Sequence, residues 1–548
     1  MKSYYFSLIV AVIFMFVFSS CGSQLMIDDV ETAQNLSYDT EVHFLLSGSI
    51  ANVGRFYTTT GMYSAEDFIC AVQYHQEFNN TWANNYTGFD KAKDNWGDDA
   101  GNNFYALILG IDGGIEIATK KDKPAYGAVF QILRALVFQY ITDRFGDVPY
   151  TEGAKGRQGF IRPKYDKQSD IYTDLLKCLD DAVAVLEGSA TIDQTKYDLM
   201  FGGDKDKWIR FANSLKLRML MRSFEAFSKM GVDNGAKINA LVQSGKLMRD
   251  NSESACFAFA GITGFNSWII GSNNVQDNSQ FTRRKPSRTL VETLKSLNDP
   301  RLTAWIAPAV EPIFDTPGSP FTVTDLYGHS YTVTPVATAS IDASALRDNP
   351  VNSYYVGCQV GQQTGLTNWY GNTNTDGVLN NPRISAFSQL FRNYNAHEAL
   401  KIVMMHADEV QFLLAEAAQR GIISGSAETY YKKGIELSCR RWIVPDALIQ
   451  TYLGETSIQL GANNADNLDK IAMQKWLALY TVAAESFFDY RRTRRPAVLA
   501  EAASGILAPF PVRFRYPVIE TGNNKDNCAA AAALMGGDTQ SNQMWLLK

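Results

Sequence analysis

Behind Pro124 the chain reads AYGAVFQILRALVFQYITDRFG, and apolar side chains recur on almost every side of the helix this run would form. Val129, Leu133, Leu136 and Tyr140 make one stripe, which Phe130, Val137 and Ile141 widen most of the way round. Pro124 suits a first turn, where a missing N–H loses nothing, and Gly146 is a natural stop. A helix with so little polar surface must be enclosed by neighbours. The rest of the chain therefore has to supply other helices to surround it.

It does. Ile171, Leu175, Leu179, Ala182 and Leu186 repeat at helical spacing, closed by Gly188. Trp208, Phe211, Leu215 and Met219 follow suit, which makes Trp208 a core residue. HADEVQFLLAEAAQRG puts Ala407, Val410, Leu414 and Ala417 on one face up to Gly421, and AETYYKKGIELSCRRW begins a few residues later. Two amphipathic helices joined so closely form an antiparallel hairpin. NLDKIAMQKWLALYTVAAESFFDYRR carries two stripes, Ile471, Leu479 and Val482 on one, Trp476, Tyr480, Ala483 and Phe487 on the other. Hairpins of this length are similar to tetratricopeptide-type repeats, although no copy carries that motif's full consensus. The expected class is mainly α: a tetratricopeptide-like helical hairpin scaffold with a loop-rich ligand-binding region and few short strands.

The loop-rich region spans about 250–385. Gly, Asn, Ser, Thr and Pro punctuate short β-branched runs there, and so long an excursion in a compact protein is usually functional. A second such stretch is QEFNNTWANNYTGFDKAKDNWGDDAGN, and the tail from 496 to 548 also reads as irregular. Helical scaffold is expected over about 41–250 and 385–495, within one domain from 41 to 548.

Ahead of that domain, Lys2 precedes an uncharged apolar run from Tyr4 to Phe18. A membrane-spanning helix needs about twenty apolar residues, so this shorter run reads as a secretory segment. Ser19, Ser20 and Cys21 follow, then Gly22. Small residues before a cysteine at this place match a bacterial lipoprotein signal: 1–20 is removed, the Cys21 thiol is acylated, and 21–40 is a tether. Two or more acyl chains suffice for stable anchoring.

The formal charge is −6, with one short basic patch, RRTRR at 491–495. Phosphate backbones need a concentrated basic surface, so nucleic acid is not an expected partner. That patch, behind a helix, would complement the helix dipole and pair with acids. Five histidines fall in no metal-ligand spacing, and six further cysteines are scattered with no C-x-x-C. Neither cofactor nor metal is expected. Cys178, on the 171–186 helix, should be a small buried residue. NTNTDG (372–377) has Arg383 where a calcium loop needs its bidentate Glu. No G-x-S-x-G, Walker A or dinucleotide fingerprint occurs. In DRFGDVPY (143–150), Gly146 and Pro149 shape the exit from a helix, and the acids would cap or pair locally.

Binding a sugar takes flat apolar faces and a rim of hydrogen-bonding groups. Three loop-like stretches offer both: Trp82 and Asn84 with nearby Trp96; Trp268 with Asn273; and Trp369, Tyr370 and Asn372. No helical stripe explains these tryptophans. The plainer alternative is that each packs its own loop onto the scaffold.

ITDRFGDVPYTEGAKG (141–156), KIVMMHADEVQFLLAEAAQRG (401–421), IAMQKWLALYTVAAESFFDYRRT (471–493) and the ending RYPVIETGN…GGDTQSNQMW resemble, in this order, the SusD-like (RagB/SusD) outer-membrane nutrient-binding lipoproteins. The resemblance implies four tetratricopeptide-like hairpins, a loop-rich ligand face, and a lipid-anchored, surface-exposed place on the outer membrane. It also implies no enzymatic activity, an oligosaccharide ligand, and a SusC-like TonB-dependent β-barrel transporter as partner. Two other readings stay open: a peptide or other nutrient binder on the same fold, and a helical-array glycoside hydrolase or lyase.

Overall fold

The computed structural model describes residues 40–58, 66–77, 86, 89, 92–97, 103–259, 284–340, 351–361, 382–392, 397–503, 506 and 508–548. The signal segment, Cys21 and the tether lie outside them. Helices of eight or more residues are α1 (Val42–Thr58), α2 (Phe104–Lys120), α3 (Pro124–Phe145), α4 (Gln168–Glu187), α5 (Lys205–Arg222), α6 (Asn234–Gln243) and α7 (Arg288–Ser296). After the loop-rich region come α8 (Ala407–Gln419), α9 (Ala427–Arg441), α10 (Asp446–Leu453), α11 (Asn464–Ala478), α12 (Ala483–Thr493) and α13 (Lys525–Leu534). The fold is mainly helical, as expected.

Helix α3 is the inner member that its sequence requires. Eighteen of its residues are buried, and α1, α2, α4 and α5 pack around it. Gly146 ends it at φ +92°, and its N–H donates to Thr142 O at 2.8 Å. That φ favours glycine, and a Cβ there would also press on Met535 Sδ at 2.8 Å. Sequential pairs α2–α3, α4–α5 and α8–α9 pack as hairpins, with α11 against both α8 and α9. Strands contribute five two-stranded ribbons among the described residues: β1 (His75–Glu77) with β3 (Arg284–Pro286), β2 (Ala255–Ala258) with β10 (Lys401–Met405), β4 (Ile306–Ala307) with β9 (Ala386–Phe387), β5 (Ile313–Phe314) with β8 (Val336–Ala337), and β6 (Phe321–Thr324) with β7 (Ser330–Val333).

Four expectations need correction. The two stripes of 467–492 are interrupted, because the chain turns at 479–482 between α11 and α12 and Leu479, Tyr480 and Val482 lie in that turn. The turn carries Tyr480 inward, where its ring stacks on Trp305 (centroids 4.4 Å apart) and its hydroxyl meets His75 Nε2 at 3.1 Å. Second, the tail is not irregular throughout: Val518–Asn523 and α13 are helical, and Tyr516 OH donates to Asp147 O at 2.6 Å. Third, Cys178 is only half-buried, with burial and nearby Asp174 raising its thiol pKa. Fourth, the acids of DRFGDVPY do not act only locally, although Asp143 does accept from Gln139 Nε2 one turn back. Asp143 reaches across the core, and Asp147 Oδ1 accepts the Gln168 N–H at 2.8 Å, capping α4 from a distance. The six described cysteines are free thiols.

Asp143 belongs to an ionic cluster sealed among five helices. Arg218 grips Glu409 with two parallel bonds (Nε to Oε1 2.7 Å, Nη2 to Oε2 2.6 Å) and reaches Glu485 at 3.4 Å. Arg222 takes the other Glu485 oxygen at 2.5 Å and also bonds Asp143. Tyr172 OH donates to Asp143 at 2.5 Å, and the Arg491 guanidinium stands 4.0 Å from it. All six charged side chains are at most 6% exposed. Arg218, Arg222 and Arg491 thus face Asp143, Glu409 and Glu485, three charges against three. Buried charge is costly unless balanced and hydrogen-bonded, and here the fork geometry of arginine provides both. Within RRTRR, Arg494 is exposed while the other arginines turn inward or pair with acids, as expected, Arg495 standing 3.5 Å from Asp469. Arg491 is buried and donates to the carbonyls of Asp143 and Val512, while Arg492 pairs with Glu416 and Asp489.

Breaking such a cluster leaves an unmatched buried charge. Glu485→Gln should lower the unfolding free energy by about 3–5 kcal/mol, read from denaturant unfolding; a change under ~1 kcal/mol would contradict the cluster's role. A pH dependence follows as well. Burial alone would raise Glu485, but Arg218 and Arg222 overcome it and hold its carboxyl below the ordinary 4.5; Arg492 does the same for Glu416. A depressed carboxylate stabilises the fold above its unfolded pKa, and that contribution is lost as pH falls through the folded value. Buried His406, held neutral well below 6.5 by desolvation, must take up a proton on unfolding in acid and acts in the same direction. Asp147 and Asp408, raised by burial, oppose the trend. The melting temperature should begin to fall below pH 6.5 and drop more steeply below 4.5, with Glu485→Gln flattening the lower limb.

Candidate functional site

Among the described residues no group of three His, Cys, Asp or Glu could hold a metal ion. The informative feature is instead where the loops are rooted. In the β1–β3 ribbon Glu77 lies opposite Arg284 and Gln76 opposite Lys285. The chain therefore departs toward 78–85 at the point where it returns from 260–283. Gln76 Oε1 accepts the Gly361 N–H at 3.1 Å, so the segment 362–381 starts from the same place. Gly361 has φ +74°, and a Cβ on it would lie 2.6 Å from Ile506, which packs against the same place.

Gln73 pins this platform from beneath. Its Nε2 donates to Leu499 O at 2.6 Å, and its Oε1 accepts from Thr289 Oγ1 at 2.6 Å. Its own carbonyl accepts the Ser287 hydroxyl. The residue sits at φ +58°, a conformation unfavourable for a side chain of this size, and these bonds hold it there. Further support comes from ring packing. His75 lies 4.4 Å from Phe387, and Tyr74 stacks on Trp476 at 5.2 Å while its hydroxyl bonds the Trp476 carbonyl. Burial pushes the Tyr74 and Tyr480 hydroxyls far above their ordinary range, so both stay neutral. Buried amides and neutral hydroxyls in fixed bonds make a rigid base.

Trp82, Asn84, Trp268, Asn273, Trp369, Tyr370 and Asn372 lie outside the described residues, as does NTNTDG. What the structure brings together is the roots of their three segments. Trp96 departs from its expected ligand-binding role. It is 7% exposed, enclosed by the rings of Tyr105, Phe145, Tyr165 and Tyr516, and its Nε1 donates to Glu520 Oε1 at 2.8 Å. Tyr165 OH takes the other oxygen of Glu520 at 2.7 Å, so Trp96 fastens its loop to the tail. Trp208 and Trp476 are core residues, as their helical stripes required. Gln73, Gln76 and Thr289 were not legible as a platform, because their partners lie hundreds of residues away.

No curated protein matches the sequence. Solved structures match it well. A SusD homologue from Bacteroides fragilis NCTC 9343 superposes with a TM-score of 0.70 at 20% identity, covering 91% of this chain and 100% of its own. A SusD homologue from Bacteroides uniformis ATCC 8492 gives 0.69 at 20% identity, with coverages of 92% and 99%. A chitin-binding SusD homologue from Flavobacterium johnsoniae gives 0.64 at 19% identity, with 92% and 98%. At these identities the likeness establishes the fold. A family model described as SusD-like, "starch-binding associating with outer membrane", matches residues 34–517. Spanning most of the sequence and in agreement with the helical architecture, that match establishes that the chain belongs to the SusD-like family.

Proposed function

We propose that the protein is a lipid-anchored capture protein of the outer membrane. It holds an oligosaccharide on the segments rooted at the β1–β3 platform and hands it to a SusC-like TonB-dependent barrel. The observation that carries this reading is the convergence of the three Trp- and Asn-bearing segments on one rigid base, in a family described as starch-binding. Stacking on Trp82, Trp268 and Trp369 and hydrogen bonds from Asn84, Asn273, Asn372 and Tyr370 would retain a sugar chain without covalent chemistry. A related fold binds chitin, which keeps chitin-type oligosaccharides beside starch-type ones as ligands to try. Cell-surface display and transfer to the barrel follow the family's association with the outer membrane. No helix among the described residues is long and apolar enough to cross a membrane, and the proposed anchor is the acylated Cys21 behind the apolar run of Tyr4 to Phe18.

Two experiments test this. Calorimetry of the chain beginning at Gly22 should show binding to starch- or chitin-type oligosaccharides, with no cleavage on prolonged incubation. Trp82→Ala, Trp268→Ala or Trp369→Ala should each weaken it by about tenfold, ~1.4 kcal/mol. Binding of peptides but not sugars would reassign the ligand, and turnover would favour the hydrolase or lyase reading. Cys21→Ser should release the expressed protein from the membrane fraction, because the acyl chains supply its only proposed anchor. Retention of that variant in membranes would contradict lipid anchoring through this residue.

A further inference from the structure

Helices α8, α11 and α12 line a cavity of about 190 Å³. Its mouth carries Arg420, paired with Glu225, and Arg495, 3.5 Å from Asp469. Its floor is made of Lys475, Asp489, Arg492 and Glu416, with Lys475 only 3% exposed. One wall is apolar: Leu468, Ile471 and Ala472.

The floor's bonds leave specific valences open. Arg492 donates to both Glu416 oxygens at 2.7 Å and to Asp489 Oδ1 at 2.8 Å. Lys475 Nζ donates to that same Asp489 Oδ1 at 2.9 Å and to no other described group, which leaves two of its three N–H bonds unspent. Asp489 Oδ2 accepts from no described group. Both residues line the cavity, which puts their unspent bonds within reach of a ligand.

The charges decide what kind of ligand fits. Lys475 and Arg492 balance Glu416 and Asp489, and the mouth pairs balance one another, so an added ion would be unmatched. Donors and an acceptor side by side suit a hydroxyl, which both accepts and donates. The Leu468–Ile471–Ala472 wall suits a C–H face. The volume lies below the roughly 300–1,000 Å³ of pockets for larger ligands, leaving room for one ring and not a chain. We infer that this cavity is a second ligand site, for a single neutral sugar ring or a polyol of that size. Its hydroxyls bond Lys475 Nζ and Asp489 Oδ2, and its apolar face rests on Leu468 and Ile471. None of the residues lining the cavity belongs to the loop segments, and the inference stands whether or not those segments bind glycan.

Ligand-observed NMR of the chain from Gly22 tests this with glucose, galactose, N-acetylglucosamine, glycerol and, as a charged comparator, acetate. At least one neutral sugar should bind saturably with a dissociation constant near about 1 mM. Lys475→Met, which removes the donors, and Leu468→Trp, which fills the cavity and leaves every charge in place, should each weaken it at least about tenfold. Trp82→Ala, Trp268→Ala and Trp369→Ala should leave it unchanged. Should Lys475→Met fail to fold, Leu468→Trp decides alone. No saturable binding at tens of millimolar, binding indifferent to Leu468→Trp, or preference for acetate over every sugar would overturn the assignment. Loss of binding in the loop variants would do so too, placing the sugar at the platform instead.

Discussion

The scaffold depends on the pairing of Arg218 and Arg222 with Glu485. One carboxylate on α12 answers two arginines a turn apart on α5, and through them it is joined to Glu409 on α8 and Asp143 on α3. Apolar helix faces can slide or rotate against one another with little penalty, since hydrophobic attraction has no direction. A buried fork-to-carboxylate bond cannot. The cluster therefore fixes the register of the helices before the loop-rich region against those after it. Its balance of three cations and three anions makes that fixing affordable in a dry interior.

Rigidity at the centre has a consequence at the edge. The turn at 479–482 exists because α11 must end where Tyr480 enters the aromatic knot of Trp305 and His75, while α12 must begin so that Glu485 meets its arginines. The same knot lies beneath the β1–β3 ribbon. Helix packing, ionic cluster and loop platform are thus one continuous body, and it is this body from which the loop segments leave.

Much of this body was legible in the sequence, through periodicity. The 124–145 helix declared its burial on all sides, and the stripes through Trp208 and Trp476 placed both in the core. The shift to Gly, Asn, Ser and Thr after 250 announced a region without long helices. What stayed hidden has a common physical cause, long-range partnership. Nothing near Asp143 reveals that its counter-ion is Arg222, and nothing near Gln73 points to Leu499. Trp96 looked like its fellow loop tryptophans, since a ring enclosed by Tyr165 and Tyr516 reads the same locally as one open to a sugar. The break inside 467–492 was masked by Thr481 and Val482, residues that a helix tolerates and that do not signal a stop.

The central claim is that ligand is held by the segments rooted at the β1–β3 platform. Hydrogen–deuterium exchange of the chain from Gly22, with and without a saturating oligosaccharide, tests it most directly. Slowed exchange confined to 73–102, 260–286 and 359–381 is the expected result. Protection elsewhere, with those segments unchanged by any bound oligosaccharide, would contradict it.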